Sequence, residues 1–267
     1  MIDSRGLDSS HGVVLVDQTG WGAVRVSGAD RMRFLQGMCM GNVEAVPEGG
    51  WLRTATLNIK GRLLSIFDLV RRTGDILLLC QPGLADATAE LFSRHAIADD
   101  VAFERADLAV HRVWDSPAAV WDAPPVFAPP PGAPASAEAV EVRRIEAGLP
   151  LWGVDASEDH FPFETPLARL IDYQKGCFIG QEPLARVRAR GTPNQVLRGL
   201  RLGGPLPARG ARIHHPARDD AGQVTSAALS PAFGPIALGY LHRQTWEPGG
   251  QVTIDGHPAE VVELPFG

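Results

Sequence analysis

The residues best suited to chemistry lie in the stretch "DYQKGCFIGQEPLARVRARG", residues 172–191. Cys177 follows Lys175 with Gly176 between them, and Gln181 and Glu182 come one turn later. The pattern predicts a helix opening near Gly180, which puts the thiol just before a helix N-terminus. A helix start and nearby cations favour thiolate and lower a cysteine pKa below its usual ~8.5. Glycines at 176 and 180 let a ligand approach the backbone and leave amide N–H groups free for an anion. The competing reading is a small buried cysteine in a turn between helices, the commoner fate of a free thiol. The company of glycine, lysine, glutamine and glutamate favours a reactive or ligand-contacting turn. The only other lysine, Lys60, also precedes a glycine, in "LNIKGRLL". Two Lys-Gly turns point toward one shared site, where a compact, flexible charge can reach out. A Cys–His pair would have to recruit His160, His214 or His215, none of them near Cys177 in sequence.

Other chemistries find no pattern. There is no GxGxxG, Walker A or HExxH sequence. The three cysteines (Cys39, Cys80, Cys177) contain no CxxC, so neither a disulfide framework nor a metal site is expected. The net charge is −6, yet residues 160–218 hold nine arginines and one lysine against Glu164, Asp172 and Glu182. A basic segment in an acidic chain suits a local anionic partner, or merely a solvated face. The arginines of 186–212 lack interleaved aromatics for base stacking, which argues against direct nucleic-acid binding. No apolar run approaches the roughly 20 residues of a membrane span, and the N-terminus lacks a signal-peptide layout. A cytoplasmic protein is expected.

The elements that must position these residues can be read from periodicity. Residues 1–114 read as an α+β lobe: strands at 12–17, 23–27, 51–58, 62–72, 75–80 and near 101–105 and 108–114, with helices over 27–38 and 82–96. The sheet is expected to be mixed but mostly antiparallel, with helices on one face. Ser27 is the expected cap of the first helix and Gly37 its stop. Residues 115–140, rich in proline and alanine, read as an extended connector with no packed element of its own. A central lobe over 141–195 should hold a short helix ending at Gly148 and a helix opened by Thr165 and Pro166. Six short strands over 196–267 predict a small C-terminal barrel or sandwich.

The residues also resemble a family. "KGCFIGQE" at 175–182 is similar to the signature of YgfZ-type folate-binding proteins, relatives of the glycine-cleavage T-protein (aminomethyltransferase). "RMRFLQG" (31–37), "LNIKGR" (57–62), "RIEAGLPLWGVD" (144–155), "QVTSAALSP" (223–231) and "IALGYLHR" (236–243) follow in that family's order. The resemblance implies an α+β, three-lobed aminomethyltransferase-like fold with a channel for tetrahydrofolate or a one-carbon-substituted folate. It implies iron–sulfur client or assembly proteins as partners, including tRNA-modifying enzymes. It makes Cys177 the signature thiol and Lys175 the signature lysine, with Asn58, Lys60, Arg62, Arg144, Glu164, Gln181 and Glu182 as folate-binding candidates. In the T-protein relatives the strand after the Asn-x-x-Gly turn carries an acid that engages folate; here it reads Ser65-Ile66, with Asp68 too far along. Asn42 stands where the family commonly has aspartate. The resemblance therefore implies a folate-binding protein supporting iron–sulfur enzymes, with a folate-dependent aminomethyl transferase or demethylase as the alternative.

Overall fold

The computed structural model describes residues 13–191 and 193–267, so the N-terminal stretch read above lies outside the described residues. Strand β1 (Val14–Asp17) is followed by β2 (Ala23–Ser27), α1 (Arg31–Met38), β3 (Trp51–Leu57), β4 (Leu63–Arg71), β5 (Ile76–Cys80), α2 (Ala85–His95), β6 (Ala102–Ala106) and β7 (His111–Trp114). Five of these form one sheet in the order β3-β4-β5-β2-β6. Every neighbouring pair is antiparallel, where a mixed sheet was expected. The run "ILLLC" of β5 is buried throughout, because helices cover one face and the rest of the body covers the other. On the helical face Phe34, Leu35 and Phe92 pack against Phe67, Leu69 and Leu78. Phe92 meets Phe34 and Phe67 edge-on, with ring centroids 6.0 and 5.9 Å apart. The first helix starts later than expected. Ser27 stays in the sheet, and Asp30 occupies the cap position while its carboxylate accepts from the Asp100 amide at 2.9 Å.

The connector is not the unpacked spacer that its prolines predicted. It contains α3 (Ala119–Asp122), whose Val120 and Trp121 are buried in a core shared with Ile66, Ala147 and Leu149. Trp121 Nε1 donates to the Ala147 carbonyl at 2.8 Å. Helix α4 (Ala137–Ala147) follows, opened by Ser136, whose Oγ accepts from the Ala139 amide at 3.2 Å. Thr165 and Pro166 open a helix as expected, a short 3-10 one (Pro166–Leu170), with Thr165 Oγ1 accepting from the Leu167 amide at 3.2 Å. Helix α5 (Gln181–Arg190) begins beside Gly180, as the spacing predicted.

The last third closes on itself. Strands β8 (Gln195–Leu202), β9 (Arg212–His215), β10 (Arg218–Ser230), β11 (Gly234–His242), β12 (Gln251–Ile254) and β13 (His257–Val262) form a closed barrel in the order β10-β11-β8-β13-β12-β9. Leu200, Ile213, Val224, Leu241, Val252 and Ile254 fill it. The alternate residues Leu197, Leu238 and Tyr240 face outward onto Ile145 of α4 and fasten the barrel to the body. Closure removes the strand edges that a six-stranded open sheet would expose. Among the described residues, no helix is long and apolar enough to cross a membrane.

Candidate functional site

The β3–β4 turn that carries Lys60 meets the start of α5, five residues beyond Lys175, rather than the Lys175-Gly176 turn itself. The β3–β4 turn is built by Asn58, whose Oδ1 accepts from the amides of Lys60 at 2.9 Å and Arg62 at 3.0 Å. Gly61 (φ +79°) and Gly180 (φ +83°) lie back to back. A Cβ on Gly180 would stand 2.7 Å from the Asn58 carbonyl and 3.2 Å from Gly61 Cα, so only glycine allows this approach. Asn58, Lys60, Gln181 and Glu182 therefore gather at one junction. Lys60 and Glu182 are exposed there, with Glu182 paired to Arg186 on the next turn of α5.

Lys175 and Cys177 are separated rather than paired. The expectation of a lysine presenting charge at a mouth gives way to a buried ammonium that donates to the carbonyls of Gln36 at 2.6 Å, Cys39 at 2.6 Å and Gly41 at 2.7 Å. All three protons are spent on the C-terminal end of α1, the negative end of its dipole. Burial lowers the Lys175 pKa. Asp172 Oδ1 accepts from the Gln174 and Lys175 amides, and Ile179 N–H donates to the Gly37 carbonyl at 2.9 Å, so the whole turn is stitched to α1. Cys177 stays exposed, whereas Cys39 and Cys80 are buried, with thiols pushed up to about 12 by burial. Cys177 is the chain's one accessible thiol. Among the described residues no three His, Cys, Asp or Glu side chains form a group that could hold a metal ion.

Arg62 turns from the junction to the 159–161 segment. Its guanidinium lies over the Phe161 ring, 4.4 Å from the centroid, and donates to the Asp159 carbonyl. Glu164 is buried behind it, accepting from the Phe161 amide at 2.8 Å, and burial raises its pKa. Arg144, expected to face folate, is used up. Its five N–H groups go to Glu141 (two), the Leu149 carbonyl, Asp155 and Ser226, tying α4 to the barrel.

Beside the Lys175 turn opens a cleft of about 780 Å³, within the size range of small-molecule sites. Its walls include Asn42, Trp51, Arg169, Asp172, Tyr173 and Gln174. Behind Trp51 runs a column of alternating cations and indoles. Arg112 stands 5.0 Å from the Trp51 ring, Arg53 lies 5.9 Å from Trp51 and 5.8 Å from Trp121, and Arg169 is 4.9 Å from Trp121. Asp68 is the column's counter-ion. It accepts from Arg53 Nε at 2.7 Å and from Arg112, and although burial would push its pKa up, the two guanidiniums hold it below its ordinary value. Two buried guanidiniums against one carboxylate leave the column net positive. Sequence reading named Asp68 only as an acid too far along the strand and missed the column it serves. The signal was a lone charge inside each of the apolar strands "WLRTATL" and "LLSIFDLV", which a buried strand carries only when paired. The neighbouring positions are closed to a ligand: Ser65 hydrogen-bonds Thr88 of α2 at 2.6 Å, and Ile66 lies in the core.

An α+β body built on an antiparallel five-stranded sheet, with a closed six-stranded barrel at its C-terminus, is an architecture shared with known proteins. Residues 195–266 match the glycine cleavage T-protein C-terminal barrel domain. The crystal structure of glycine cleavage system aminomethyltransferase T from Bartonella henselae superposes with a TM-score of 0.80 at 20% identity, covering 99% of this chain and 90% of that one. The aminomethyltransferase of Saccharopolyspora erythraea is 37% identical over 140 residues, 50% of this chain and 38% of that relative. The aminomethyltransferase of Moorella thermoacetica is 35% identical over 141 residues, 50% and 37%. The match thus spans under two fifths of the length of these curated relatives. The whole chain therefore has the T-protein fold, and its last third matches that protein's C-terminal barrel domain.

Proposed function

We propose that this chain binds tetrahydrofolate, or a one-carbon-substituted folate, in the cleft beside the Lys175 turn. We further propose that it supports iron–sulfur enzymes rather than transferring aminomethyl groups. The cleft's chemistry supports the first part. Trp51 and Tyr173 supply aromatic surface for a pterin, Asn42, Asp172 and Gln174 supply donors and acceptors for its edge, and Arg169 suits a carboxylate of the tail. The state of β4 carries the second part. Its one acid, Asp68, is locked between Arg53 and Arg112, and the positions where T-protein relatives carry a reactive carboxylate are Ser65, turned to α2, and Ile66, in the core. The exposed Cys177 then serves as the thiol offered to a folate-bound one-carbon group or to a partner's cluster. The relatives named aminomethyltransferase support the second reading, a folate-dependent transferase.

Calorimetry with tetrahydrofolate, on the natural chain beside Cys177→Ala, tests the binding. Saturable heat in both is expected; no heat in either would discard the folate reading. Formation of methylene-tetrahydrofolate from an aminomethyl donor would favour the transferase. For the client role, Cys177→Ala should fail to restore iron–sulfur-dependent tRNA modification in cells lacking this chain. Full restoration would remove the thiol from the proposal.

A further inference from the structure

A second cleft, of about 450 Å³, lies between the 157–161 segment and the outer wall of the barrel. It shares no lining residue with the first. At its base His160 stacks on Tyr240, with ring centroids 4.5 Å apart and planes 18° from parallel. The Tyr240 hydroxyl is already given to the Asp155 carbonyl at 2.7 Å. Ser157 N–H donates to His160 Nδ1 at 3.1 Å, which leaves the ring proton on Nε2 as a donor. Burial lowers the His160 pKa, in keeping with a neutral ring.

The walls are rich in hydrogen-bond donors. Arg212 from β9 and Arg218 from β10 line the cleft with His242 from β11 and the Asn194 amide; Gln195 is engaged by Glu164, and Arg218 gives only its Nε, to the Asp220 carbonyl at 2.8 Å. The one acid on the wall, Asp220, stands 3.8 Å from Arg212, a long pair that leaves the guanidinium's donors available. Burial first, then Arg218 and Arg243, lower the His242 pKa. Guanidiniums in a concave, donor-rich pocket suit the several oxygens of a phosphate group.

We infer that this cleft is a second ligand site, for a small phosphorylated molecule whose phosphate lies between Arg212 and Arg218. The concave shape favours a small molecule over a nucleic-acid backbone, which needs an open track. The inference stands apart from the folate reading, because the two clefts are lined by different residues.

Inorganic phosphate, titrated into the full chain at constant ionic strength while the imidazole resonances of His160 and His242 are followed, tests it. A saturable shift of both is expected, with His242 titrating at higher pH once an anion offsets its guanidinium neighbours. Arg212→Gln and Arg218→Gln, both surface changes, should each weaken the response about tenfold. An equal response to chloride would mean an adventitious ion only and overturn the site. Displacement of phosphate by saturating tetrahydrofolate would overturn its separateness. A short oligouridylate that binds there more tightly than a nucleoside monophosphate would overturn the small-molecule assignment. Phosphate binding without any tetrahydrofolate binding would leave this site standing and remove the folate proposal alone.

Discussion

Lys175 answers why an ammonium, and not the arginine used almost everywhere else in the chain, stands beside Cys177. Three carbonyls converge on one atom, and a tetrahedral –NH₃⁺ can give each a proton, whereas a planar guanidinium spreads its donors over a fork. Lys175→Met should cost on the order of 2–4 kcal/mol in urea unfolding, since buried carbonyls lose their donor. Lys175→Arg should not recover it; an arginine variant as stable as the natural chain would refute the three-pronged clamp. Asp68 makes a second prediction. Its folded pKa lies below the ordinary 3.8, so its contribution is complete above that pH and drains away as pH falls through the folded value. Asp68→Asn, which leaves Arg53 and Arg112 facing each other, should cost about 3–5 kcal/mol at neutral pH. It should also flatten the acid limb of the stability profile, read by thermal melts across pH. An unchanged acid limb would show that Asp68 does not carry it.

Elements act here through contacts that join distant parts of the chain. The β3–β4 turn and the start of α5 touch through Gly61 and Gly180, and a methyl at 180 would meet a backbone carbonyl at 2.7 Å in a left-handed conformation. Gly180→Ala should therefore destabilise by at least about 1–2 kcal/mol. Hydrogen exchange should quicken at Ile179 while barrel amides such as Leu238 stay protected; uniform quickening would show no local coupling. Helix α3 is the other such joint. Trp121 fills the core and caps a carbonyl of α4, so Trp121→Ala should cost about 3–5 kcal/mol, measured by denaturant unfolding. A loss under 1 kcal/mol would restore the picture of an unpacked connector. The proline-rich composition concealed this joint, because a few scattered aromatic and aliphatic side chains among seven prolines carry no periodicity.

At the scale of the molecule, a ligand held between walls from different lobes should stabilise the whole chain. Tetrahydrofolate at about 100 times its dissociation constant adds roughly 2.7 kcal/mol if it binds only the folded state. The melting temperature should rise with ligand concentration, and a flat response would argue against a preformed pocket. The barrel was legible in advance, since six runs of alternating residues between Gly/Pro/Asp turns encode strand, turn and closure locally. So were α2 and α5, where helical periodicity and the glycine at 180 are themselves the signal. The sequence by itself determined most of the strands, the helices α2 and α5, and which single thiol has polar company, but not α3 or the start of α1. Only the tertiary structure decided that Lys175 turns inward while Cys177 stays out, that Arg144 is consumed by the scaffold, and that Trp51 and Arg169 line one cleft. The physical reason is range: backbone preference acts over a few residues, whereas a buried charge takes its role from whatever the fold brings within hydrogen-bonding distance.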